Sequence, residues 1–225
     1  MEELLNIYVC IIAPLLLMFF LLKNENKMLN LFLIIGMSVC LTAGYVNDYM
    51  IGLTGYTHIQ STYYITPICE EVLKALPILL YVYVFKPKSE MIISSALSVG
   101  IGFATLENVY YITVYGAEDF IFLLMRGFAT GIMHGLCTAM IGFGSAFIYR
   151  KKGLALTGTF GLLCGSITYH ATYNLLISSP GLAEMIGIFL PITTAAVYFI
   201  LLHQPLIKKF KVRFYTKLSL IHKKI

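Results

Sequence analysis

Long apolar runs follow one another along this chain, separated by short polar breaks. Seven stand out, at residues 4–22, 29–47, 64–85, 91–115, 121–149, 154–178 and 185–203. At the rise of an α-helix each is long enough to cross a hydrocarbon core of about 30 Å. The pattern predicts an all-α fold, a polytopic membrane helical bundle of about seven transmembrane helices. The fifth run is long and is expected to tilt. The first is read as a retained helix rather than a signal peptide, because Glu2 and Glu3 precede it instead of a basic region and no small-residue cleavage site follows. Residues 47–63, rich in Gly, Thr and Tyr, read as the longest outer loop.

Composition agrees with this reading and narrows it. Of 225 residues 59% are hydrophobic and only 12% charged, about half the charge of a soluble domain, so the bundle itself is the core. The expected organisation is one integral membrane domain, 1–225, with no separate soluble part. Charge placement tests the helix count. Of the 16 Lys and Arg, Lys74 and Arg126 fall within runs, and all the others lie in alternate connections or in the tail from Lys208 to Lys224. The opposite set of connections carries none. The positive-inside rule then puts the N-terminus outside and the C-terminus in the cytoplasm. The net charge of +5 comes mostly from that tail, 204–225, which is expected to lie along an anionic inner leaflet. It implies the lipid bilayer as a partner and no nucleic acid. The five cysteines lie in apolar runs without CxxC spacing, so neither a disulfide framework nor a zinc knuckle is expected.

Against this background Glu70, Glu71, Lys74, Glu107 and Arg126 are costly. A charge at the bilayer centre costs about 3 kcal/mol on insertion scales, so five amount to roughly 15 kcal/mol before pairing. His134 and His170 share these surroundings. Lys74 follows Glu70 by four residues and Glu71 by three, so both carboxylates can reach its helix face. Thr138 follows His134 by four, and Asn174 follows His170 by four. Given the orientation above, Glu70, Glu71, Glu107 and His170 lie about 10–12 Å below the outer end of their helices, Asn174 about 6 Å and His134 about 18 Å. Three carboxylates against two cations leave one excess negative charge, which favours a protonated carboxyl or a bound cation. Arg126 is near enough to the outer interface to snorkel. HExxH and GxSxG are both absent. Two functions fit such a cluster: hydrolysis by carboxylate and histidine, or a proton- or ion-coupled transporter or channel using the residues as a relay. The lack of an internal repeat and the off-centre polar layer speak against transport.

The motifs also carry a resemblance. Glu70-Glu71-Val-Leu-Lys74 gives EExxK, Phe103 to Asn108 gives FxxxEN, His134 with Thr138 gives HxxxT, and His170 with Asn174 gives HxxxN. This series, from about Glu70 to Asn174 within a motif-bearing core of 64–178, resembles the PrsW family of bacterial intramembrane proteases, which is distantly similar to the CAAX prenyl protease and Abi group. The resemblance implies a multi-pass peptidase of the bacterial cell membrane. It implies cleavage of a single-pass membrane protein near its outer side, typically the first cut of an anti-sigma factor, in a stress response. It makes Glu70, Glu71 and His170 the essential residues, with Glu107, His134 and Asn174 completing the site and Lys74, Asn108 and Arg126 supporting it. On this reading Glu71, more than Glu70, is expected as general base for a water. His170 and Asn174 would hold the water or the oxyanion, and Lys74 would tune the carboxylate pair. A divalent metal such as zinc is the other route, with Glu71, Glu107, His134 and His170 as its ligands.

Overall fold

The breaks in the apolar pattern become turns wherever the backbone can reverse. The computed structural model describes residues 27–116, 119–146 and 152–203. Among these residues every element is helical: α1 (Lys27–Thr54), α2 (His58–Tyr64), α3 (Thr66–Phe85), α4 (Ser89–Tyr115), α5 (Phe120–Ser145), α6 (Lys152–Ile177) and α7 (Leu182–His203). The run at 4–22, Cys10, the end of the fifth run, Arg150, Lys151 and the tail lie outside the described residues. Gly55 and Gly116 follow α1 and α4 with positive φ, and Gly181 precedes α7 in the same region. Pro67 sits in the first turn of α3, where its missing N–H has no partner to lose. Cys40, Cys69, Cys137 and Cys164 are free thiols.

Residues 47–63 are not the loop that their composition suggests. α1 continues to Thr54, and residues 58–64 form the short helix α2. A capping box starts α2: Gln60 N–H donates to the Thr57 hydroxyl at 3.2 Å, and Thr57 N–H donates to the Gln60 side chain at 3.1 Å. Two otherwise orphaned donors are satisfied at once, which offsets the high turn propensity of the segment.

Close backbone approach fixes how the long helices meet. A Cβ on Gly36 would strike the Val99 carbonyl, and one on Gly102 would strike the Leu33 carbonyl, so α1 and α4 touch backbone to backbone. Gly100 stands in the same relation to the His134 carbonyl of α5. Between α5 and α6, Gly165 packs on the Met140 side chain. Gly144 packs on Gly158 and Thr159, whereas Gly161 faces open space. Phe32, Ile78, Val82, Ile92, Val99 and Ile141 form an apolar core drawn from α1, α3, α4 and α5. It lies on the side of Lys74 that leads to the end of α3, so the charged layer occupies the other half of the bundle.

α1, α4, α5 and α7 are long and apolar enough to cross a membrane. Many of their side chains, with Leu76, Leu80 and Tyr83 of α3, point outward as bare apolar surface, which suits contact with lipid acyl chains. The fold is that of a polytopic helical membrane protein. The other two long helices, α3 and α6, are the ones that carry Glu70, Glu71, Lys74, His170 and Asn174.

Candidate active site

Four helices deliver the polar residues, and one turn of α3 organises them. Glu70, Glu71 and Lys74 are all buried, Glu71 and Lys74 completely. Lys74 Nζ donates to Glu71 Oε1 within its own helix. It also lies 2.7 Å from Nδ1 of His134 on α5 and 4.5 Å from the centre of the Phe103 ring on α4. An ammonium has no lone pair, so His134 Nδ1 accepts and Nε2 carries the hydrogen. That Nε2 is 2.7 Å from Glu107 Oε2 on α4 and donates to it. His170 of α6 places Nδ1 2.8 Å from Glu71 Oε1. Its Nδ1–H donates there, and its Nε2 faces Glu70 Oε2 at 3.9 Å. The His134 and His170 rings meet edge to face, 4.8 Å apart. Glu107, His134, Lys74, Glu71 and His170 thus form one continuous chain of hydrogen bonds across α4, α5, α3 and α6. Lys74 sits at its middle, and Glu71 beside it fixes the orientation of His170, as an outer carboxylate does for an imidazole.

A cavity of about 800 Å³ opens on this layer. Glu70, Glu107, Arg126 and Asn174 line it; Glu71, Lys74, His134 and His170 sit behind. The two adjacent glutamates therefore differ. Glu71 is locked to Lys74 and His170. Glu70 reaches the cavity, holds Asn47 Nδ2 on Oε1 at 3.2 Å, and keeps Oε2 buried with no partner. Both glutamates keep Oε2 buried without a partner, and of the two only Glu70 lines the cavity.

Other expected residues take different places. Asn174 Nδ2 donates to the Thr62 carbonyl of α2 at 2.8 Å, so half of its amide braces α2 beside the cavity. Asn108 is fully buried, with neither amide atom bonded within the protein, and it is not among the residues lining the cavity. Thr138 returns its hydroxyl to the His134 carbonyl at 2.9 Å and serves its own helix. Arg126 lies over the Tyr111 ring, 3.6 Å from its centre, and lines the cavity. Asn47 was missed; the signal was an amide at the end of an apolar run. Tyr173 was missed too. It is buried between His170 and Asn174 in sequence, with its hydroxyl 3.0 Å from Thr130. Asp48, His58 and Glu184, given no role from sequence, line the cavity mouth.

The donor set also suits a cation. Glu70, His134 and His170 each bring one potential ligand atom, all within 4.8 Å of one another, although His134 would have to give up its bond to Lys74 or Glu107 to bind. The unpartnered Glu70 oxygen and the His170 Nε2 lone pair are what a divalent ion requires. The set differs from the expected one by Glu70 in place of Glu71, whose inner oxygen already carries Lys74 and His170, and by the absence of Glu107, which holds His134.

Comparison with known proteins adds the family. Residues 25–202 match the model of a family described as PrsW family intramembrane metalloprotease. No curated protein matches the chain, and no solved structure does. The family is one of peptidases, which decides between the two functions that the charge pattern left open.

Proposed function

Because the chain belongs to the PrsW family of intramembrane metalloproteases, we propose that it is an endopeptidase of the bacterial cell membrane that cuts a single-pass membrane protein near its outer side. The best-suited substrate is an anti-sigma factor, cut first at this site so that a sigma factor is later released. The observation that carries the reading is the pairing of Glu70, which lines the cavity, with His170 just behind it at 3.9 Å, each with an unspent acceptor. Glu70 takes a proton from a water held between it and His170, and the water oxygen attacks the scissile carbonyl. The free part of the Asn174 amide is a donor available to the oxyanion. Glu71 and Lys74 act from behind by holding His170 and His134 in these tautomers. The leaving amine receives the proton that Glu70 took up. A divalent metal, if loaded, would be held by Glu70 and His170, with His134 joining only by giving up its bond to Lys74 or Glu107, and would polarise the carbonyl or acidify the water.

Co-expression with candidate single-pass substrates tests this. Wild type should shorten the substrate. Glu70→Gln and His170→Ala should leave it intact while accumulating in the membrane like wild type, with a loss on the order of a hundredfold or more. Substrate that persists equally with all three proteins refutes the assignment for that substrate. The same variants report on metal, since a bound ion should be lost from both purified proteins.

A further inference from the structure

Arg126 makes no ion pair among the described residues. It lies on α5, and Arg126, Thr130 and His134 follow at four-residue intervals along one helix face. Its Nε is buried with no hydrogen-bond partner. No carboxylate lies within ion-pair distance of it among the described residues. Stacking on Tyr111 fixes the plane of the guanidinium and leaves its edge, where the donors are, as the face for a ligand. Among the described residues that line the cavity it is the one lysine or arginine, whereas Asp48, Glu70, Glu107 and Glu184 are acidic.

We propose that Arg126 forms a substrate subsite that selects an acidic side chain, Asp or Glu, a few residues from the bond that is cut. This rests on the proteolytic reading above and names a feature of its substrate. A fixed, planar guanidinium matches a carboxylate through two parallel hydrogen bonds. The surrounding acids repel a negative side chain everywhere else in the cavity, so the selection is positional as well as chemical. The distance sets the position. Arg126 is eight residues before His134, or about 12 Å along the helix axis. An extended substrate advances about 3.3 Å per residue. Allowing for the reach of both side chains, the acid sits about two to four residues from the scissile bond, on the side toward the start of α5.

The test uses the full-length protein in membranes and a single-pass reporter library randomised through the outer half of its span. Cleaved products are sequenced for wild type, Arg126→Gln and Arg126→Glu. The expected result is enrichment of Asp and Glu at one position with wild type, by about tenfold over Lys. That enrichment should vanish in Arg126→Gln and turn to Lys and Arg in Arg126→Glu. Wild-type cleavage without acidic enrichment overturns the subsite and leaves the protease reading standing, even if neither variant folds. Enrichment that survives unchanged in Arg126→Gln also overturns it. Absence of any cleavage by wild type overturns the protease reading and this inference with it.

Discussion

Lys74 is the residue on which the buried layer depends. It is wholly inaccessible, and its ammonium is divided between Glu71 Oε1 and His134 Nδ1. Replacing it with methionine fills the space but strands the Glu71 carboxylate, and removing one partner of a buried pair costs about 3–5 kcal/mol. Removing the other partner as well takes away the stranded charge. Lys74→Met should therefore lower unfolding stability in detergent or bilayer by about that amount, and Lys74→Met with Glu71→Gln by less than the sum of the two single losses. Strictly additive losses would mean that the pair carries no coupling. At this scale the sequence was informative about which residues matter and silent about their division of labour. The EExxK spacing put two carboxylates and an amine on one turn. Neighbouring residues on a helix point about 100° apart, however, and nothing in the run of letters said which of Glu70 and Glu71 would face the cavity. That depends on α1, which supplies Asn47, and on α6, which supplies His170.

Gly100 is where the packing of two helices and the geometry of the site become the same thing. A Cβ there would overlap the His134 carbonyl and the Thr138 hydroxyl, so even alanine must push α4 away from α5. Glu107 lies two turns further along α4, and its 2.7 Å contact with His134 depends on that approach. Gly100→Ala is expected to cost about 1–3 kcal/mol of stability and to reduce cleavage further by parting Glu107 from His134. Gly161→Ala, which meets open space, should leave unfolding unchanged. Equal stability for the two variants would refute the close contact. The helices themselves were legible, because long apolar runs admit little else in a bilayer. The partners of each glycine were not, since a small residue marks a possible contact without naming the helix that makes it. α2 was missed for a local reason. Its seven residues are too few for a periodic signal, and only the Thr57–Gln60 box announces it.

At the scale of the whole molecule, the bundle is divided along its length. Apolar side chains fill the half of the bundle beyond Lys74, and the cavity opens in the half that contains Glu70, Glu107 and Asn174. Such an asymmetry has functional meaning only relative to the two sides of a membrane. The side is set by the Lys and Arg of the 86–88 connection and of the tail, which belong in the cytoplasm if the positive-inside rule holds here. The cavity, with Asp48 and Glu184 in its lining, then faces out, as the proposed outer cut requires. Two exposed positions test this in intact cells. With the native cysteines replaced by serine, Asp48→Cys should react with a membrane-impermeant maleimide added outside, and Lys88→Cys should react only after the membrane is opened. The reverse pattern would place the catalytic layer near the cytoplasmic face. It would also remove the reason for expecting an outer first cut, because the same four helices would then present Glu70 and His170 to the inner end of any spanning segment.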